Sequence, residues 1–105
     1  FSAAIQLLER VTRVLISPEA GSVLERTANA TIYLDAFGHI VISWMWLRQI
    51  EVAIKELDGS ESDFYNGKMQ AAEYFFRYEL PKAIERLEFL EEIDTTCIQT
   101  KNDWF

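Results

Sequence analysis

The chain has 105 residues, half of them hydrophobic, and a net charge of −7, which suits one globular domain and leaves little room for two. Residues 1–48 carry four basic and four acidic groups and residues 49–105 carry six and thirteen, so the whole surplus of acid lies in the second half. A surface of that sign repels phosphate backbones and offers no basic patch to anionic lipid, which argues against nucleic-acid binding and electrostatic membrane binding.

The first helix is expected over 3–16, with Ile5, Leu8, Thr12 and Leu15 on its buried face and Ser2 as its cap. Ser17-Pro18 ends it, because the residue before a proline avoids the α region. Ser22 and Glu25 then have the S-x-x-E spacing of a capping box that opens a second helix. No Gly or Pro break follows until Asp58-Gly59, so one long helix is expected over 23–57, about 50 Å in length, with a bend where Thr27 to Thr31 lowers helix propensity. Within it, GHIVISWMWLR (38–48) is apolar almost all the way round and is expected to be the central element, with Trp44, Met45 and Trp46 packed in the core. The uncharged run Ala36 to Leu47 covers twelve residues, short of the roughly 20 that a membrane span needs.

A third helix, capped by Ser60, is expected over 61–79. Its segment FYNGKMQAAEYFFRYELP (64–81) holds six of the chain's fourteen aromatics. At 100° per residue, Tyr65, Met69, Ala72, Phe76 and Leu80 form one apolar stripe, and Gly67, Ala71, Tyr74 and Tyr78 form a second beside it. That arc is about twice the roughly 100° needed to rest on one core, so two neighbours are expected. Pro81 must kink or break the helix, and a fourth segment follows to about Ile93, with Leu80, Ile84, Leu87 and Leu90 inward. Periodicity then fades, and 94–105 reads as a tail. The expected fold is therefore all-α: one domain over 1–105, an antiparallel up-and-down bundle of three to four helices with a long central helix and a proline-kinked last one.

Asp35, His39 and Ser43 recur every four residues on one helical stripe that also carries Trp46. Successive members climb about 6 Å, whereas a catalytic triad needs hydrogen bonds of about 3 Å, so they read as polar residues satisfied within the bundle or at an interface. One histidine and one cysteine with scattered carboxylates give no metal-ligand spacing. Glu85, Glu88, Glu91, Glu92 and Asp94 read as a solvated acidic face. Cys97 has no neighbouring base to activate it, so no catalytic, cofactor-binding or metal-binding residue is assigned. A lone cysteine and no signal-peptide pattern fit a cytoplasmic setting. The chain opens at Phe1 and turns helical almost at once, as expected of a fragment of a longer protein.

GHIVISWMWLR, then FYNGKMQAAEYFFRYELP, and an Asn-Asp-Trp-Phe ending together resemble the extra C-terminal domain of a bacterial subfamily of acyl-CoA dehydrogenases, the acetyl-CoA dehydrogenase C-terminal-like family. The resemblance covers nearly the whole chain and is most specific over 64–81. It implies a parent flavoenzyme that desaturates acyl-CoA thioesters with FAD and passes electrons to an electron-transfer flavoprotein. The base and the flavin site would lie in the catalytic core of that parent. It further implies a non-catalytic accessory domain packed on that core or across a subunit interface of a homo-oligomer. The docking surface expected from the residues is Gly67, Ala71, Tyr74 and Tyr78, together with the stripe Asp35, His39, Ser43 and Trp46. A free-standing helical module that grips a partner protein is the alternative.

Overall fold

The structure, a computed structural model, describes residues 1–104, and every regular element among them is helical. Helix α1 spans Ser2–Ile16, α2 Val23–Thr27, α3 Ala30–Glu56, α4 Ser62–Tyr74 and α5 Leu80–Glu91; a short α6 spans Thr96–Gln99. Helices α1, α3 and α5 run up, down and up. Thr12 of α1 bonds Tyr33 at the start of α3, Arg86 pairs with Asp35, and Arg10 pairs with Glu91. The all-α bundle with a long central helix is thus the observed architecture, and it is markedly flat. The Cα atoms extend 64 × 32 × 14 Å. With helix axes 8–10 Å apart, that thickness admits two helix layers at most.

The radius of gyration is 18.5 Å, against about 13 Å for a compact domain of this length. The accessible surface is 7527 Å², about 1,400 Å² more than the roughly 6,100 Å² expected for a rounded protein of this mass. The core lies at one end, where α1, α3 and α5 meet. Ala4, Leu7 and Val11 pack there with Ala36 and Ile40, and with Phe75, Leu80, Ala83, Leu87 and Leu90. At the other end α3 and α4 form a two-helix arm.

Local chemistry explains the elements and corrects several expectations. On α1 the buried residues are Ala4, Leu7 and Val11, with Leu8 and Leu15 packed beside them, while Ile5 is exposed. Helix α1 packs chiefly on α5, and its buried face is turned by one residue from the expected one. Neither Ser2 nor Ser60 caps a helix: the caps are Phe1 and Glu61, and neither makes a side-chain cap bond.

The capping box forms as read. Ser22 Oγ accepts from Glu25 N–H at 3.1 Å, and Ser22 N–H donates to Glu25 Oε1 at 2.9 Å. The helix it opens is short, however. Expected to run over 23–57, it breaks at Ala28-Asn29, where Asn29 leaves helical geometry (φ −115°, ψ 34°). Asn29 Nδ2 donates to the Asp94 carbonyl at 3.0 Å, anchoring the start of the C-terminal segment. That segment is ordered into α6 and a 3₁₀ turn over Asn102–Trp104. Trp104 is exposed, and Phe105 lies outside the described residues.

The helix that carries Pro81 is interrupted as expected, by a wide turn just before the proline. Residues Phe75–Glu79 form a π turn, in which the Leu80 N–H bonds the Phe75 carbonyl, and α5 begins at once with Pro81 in its first positions. The wide turn accommodates the ring and falls where the missing N–H would have left a gap. Trp44 and Met45 are also corrected: they are 48% and 49% exposed, and of the three residues only Trp46 packs against the core. A central helix in a flat bundle has neighbours on some sides only.

By length and mean hydropathy (1.2 over its best 18-residue window), α3 is long and apolar enough to cross a membrane, a point the count of twelve uncharged residues does not register. The same helix buries Ala36, Ile40, Ser43 and Ala53 within the bundle. Only 17% of that window is buried, so most of its apolar surface is uncovered.

Candidate functional site

The polar stripe of α3 is held by hydrogen bonds along and between helices. Ser43 is fully buried, and its hydroxyl donates to the His39 carbonyl at 2.8 Å. His39 Nδ1 lies 3.0 Å from the Asp35 carbonyl, and its Nε2 lies 3.8 Å from Glu79 Oε2. The imidazole stacks on Phe75, with centroids 6.2 Å apart and planes at 21°. Asp35 reaches across to Arg86 on α5. Each member therefore has its own partner, and Ser43 bonds backbone, not the imidazole. The stripe ties α3 to the π turn and to α5. Ser43 offers no surface to a partner, Trp46 and His39 are half-buried, and Asp35 alone of the four is exposed.

The second stripe is placed differently. Gly67, Ala71, Tyr74 and Tyr78 are all exposed, the tyrosines by 55% and 60%. Tyr74 and Tyr78 stack on each other with centroids 4.9 Å apart and planes at 23°. The neighbouring stripe faces α3: Ala72 is buried, and Tyr65 and Met69 are partly so. The over-wide apolar arc thus rests on one neighbour and leaves a paired-aromatic ridge uncovered. A Cβ built at Gly67 meets nothing within 4 Å, so the glycine leaves a flat place open to close approach.

A third feature escapes the sequence reading. A groove of about 440 Å³ runs between α3 and α4 on the arm, lined by Met45, Val52, Phe64 and Tyr65, with Arg48 and Lys68 on its walls. Its only signal in the sequence is that 38–48 is apolar all round, which names no particular face. Among the described residues, no group of three or more His, Cys, Asp or Glu could hold a metal ion.

These features define a flat helical bundle rich in uncovered surface, and comparison with known proteins gives its class. Residues 1–101 match the family described as acetyl-CoA dehydrogenase C-terminal like, and the chain belongs to that family. Over 71 residues it is 32% identical to the broad-specificity linear acyl-CoA dehydrogenase FadE5 of Mycobacterium tuberculosis (strain ATCC 25618 / H37Rv). That match covers 64% of this chain and 12% of the relative, so the chain spans only a small part of the length of the curated protein it matches. No solved structure matches the chain.

Proposed function

We propose that the chain is a non-catalytic C-terminal accessory domain of an FAD-dependent acyl-CoA dehydrogenase, packed on the catalytic core or at a subunit interface of that cytoplasmic enzyme. The observation that carries the reading is the family match over 1–101 combined with the uncovered Tyr74–Tyr78 ridge. An appendage needs such a ridge to hold its parent, and stacked aromatics supply large contact area at small entropic cost. FAD, the acyl-CoA thioester and the electron-transfer flavoprotein would all belong to the parent. In this reading the domain supports assembly or shapes the acyl-CoA entrance.

The test uses the full-length parent, with and without residues 1–105, and with Tyr74→Ser and Tyr78→Ser together. A yellow, active parent that keeps FAD but changes substrate range or assembly on deletion supports the reading. The double variant should loosen the domain, seen as faster proteolytic release, without loss of flavin. A parent without flavin overturns the assignment and favours the free-standing interaction module.

A further inference from the structure

We propose that the α3–α4 arm pairs with the arm of a second copy of this chain, antiparallel, groove against groove about a two-fold axis. The arm carries its charge in two zones. Its tip, from Lys55 to Asp63, holds four carboxylates (Glu56, Asp58, Glu61 and Asp63) against one cation, Lys55. Its belt holds Arg48 and Lys68 on the groove walls, against one acid, Glu51. In a chain of net charge −7 these two cations stand out. Among the described residues neither makes an ion pair; Arg48 lies 5.4 Å over Trp44, and Lys68 lies 5.4 Å over Phe64.

Eight residues of α3 separate Arg48 from Glu56, about 12 Å along the helix. The apolar floor, Val52 and Phe64, lies between the two zones and is 55% exposed at each residue. Laying a second arm antiparallel across that floor puts each acidic tip against the other copy's basic belt. Laying it parallel puts tip on tip, acid against acid. Charge therefore selects both the partner and its direction, as complementary potentials do at interfaces.

The area sets the strength. The arm face measures roughly 20 Å by 20 Å, on the order of 400 Å² per copy, which is below the roughly 800 Å² per partner of a standard interface. The dimer is accordingly weak, dependent on concentration and weakened by salt. Tyr74 and Tyr78 lie about 9 and 15 Å further from the tip than Lys68, so the ridge stays free. The inference goes beyond the accessory-domain reading and does not rest on it, because no flavin or thioester enters its test.

Sedimentation velocity over a micromolar to submillimolar series measures the dimer directly. Variant one carries Arg48→Glu and Lys68→Glu; variant two carries Glu56→Lys and Glu61→Lys. Arg48, Glu56 and Glu61 are exposed and Lys68 is half-buried, and circular dichroism verifies that each variant keeps its helicity. Each variant alone should dimerise about tenfold more weakly or worse, and the equimolar mixture should recover wild-type association as a heterodimer. A wild-type chain that stays monomeric throughout overturns the proposal. So does a dimer indifferent to both variants, or a mixture that fails to recover.

Discussion

Arg10 and Glu91, 81 positions apart, form a two-armed ion pair: Nε donates to Oε2 at 2.7 Å and Nη2 donates to Oε1 at 2.9 Å. It fastens the middle of α1 to the last residue of α5. The hydrogen bond from Arg10, with its charge, holds the Glu91 carboxyl below its usual range, and Arg10 is raised in turn by the same contact. A carboxylate whose folded pKa is depressed contributes stability above its ordinary pKa, and that stability is lost as pH falls through the lowered value. Glu91→Gln should therefore be less stable than wild type at neutral pH, with the gap closing in acid. Arg10 is largely exposed, so the effect is small and should narrow further in high salt. Urea melts at neutral and acid pH, each at two salt concentrations, measure it.

Gly21 has φ +147° and ψ −178°, a region closed to side-chain-bearing residues. A Cβ there would also come within 3.3 Å of Glu25 Oε1, the oxygen that closes the capping box. Gly21→Ala should cost about 1–3 kcal/mol, read from thermal or urea unfolding.

Leu87 is fully buried where α5 meets the other core helices. Leu87→Ala should destabilise by about 2–5 kcal/mol through lost burial and the cavity left behind. Leu34 is 70% exposed, and Leu34→Ala should change stability by no more than about 0.5 kcal/mol. Paired denaturation curves for the two variants check that Leu87 lies in the core and Leu34 on the outer face of α3.

Pro81 stands in the first positions of α5, where no helical hydrogen bond is asked of its nitrogen. Pro81→Ala should be nearly neutral, within about 1 kcal/mol. Glu85→Pro, in the exposed middle of the same helix, should cost about 3 kcal/mol or more. Equal costs for the two would contradict the place of Pro81 at the start of α5.

What the sequence made legible was local. The Ser22–Glu25 box, the stop at Ser17-Pro18, the turn at Asp58-Gly59 and the apolar face of α5 depend on neighbours within four residues, so they could be read directly. The weak point at Thr27 to Thr31 could be read as well, but not that the helix stops there outright, where Asn29 bonds a carbonyl 65 positions away. The end of α5 was off by two residues because Ile93 takes the left-handed conformation (φ 51°) usually given to glycine, so the usual stop signal was missing. Trp44 and Met45 were misjudged because periodicity tells how wide an apolar arc is and not whether anything lies against it. The same limit hid the groove. Both sites are exposed remainders of helices whose other sides are in use.

The wide turn at Phe75–Glu79 acts as a buffer of length. It holds one residue more than an α-helical turn would, with little change in how α4 is rotated relative to α5. Removing a single residue there would leave an ordinary α turn, with α4 in nearly the same phase on α5. Removing Glu73 from the regular helix beside it would instead swing the residues before it by about 100°. Phe64, Lys68 and Ala71 would then take the places of Tyr65, Met69 and Ala72 against α3. A change of one residue in length is thus absorbed in the wide turn and redirects a whole surface a few positions earlier.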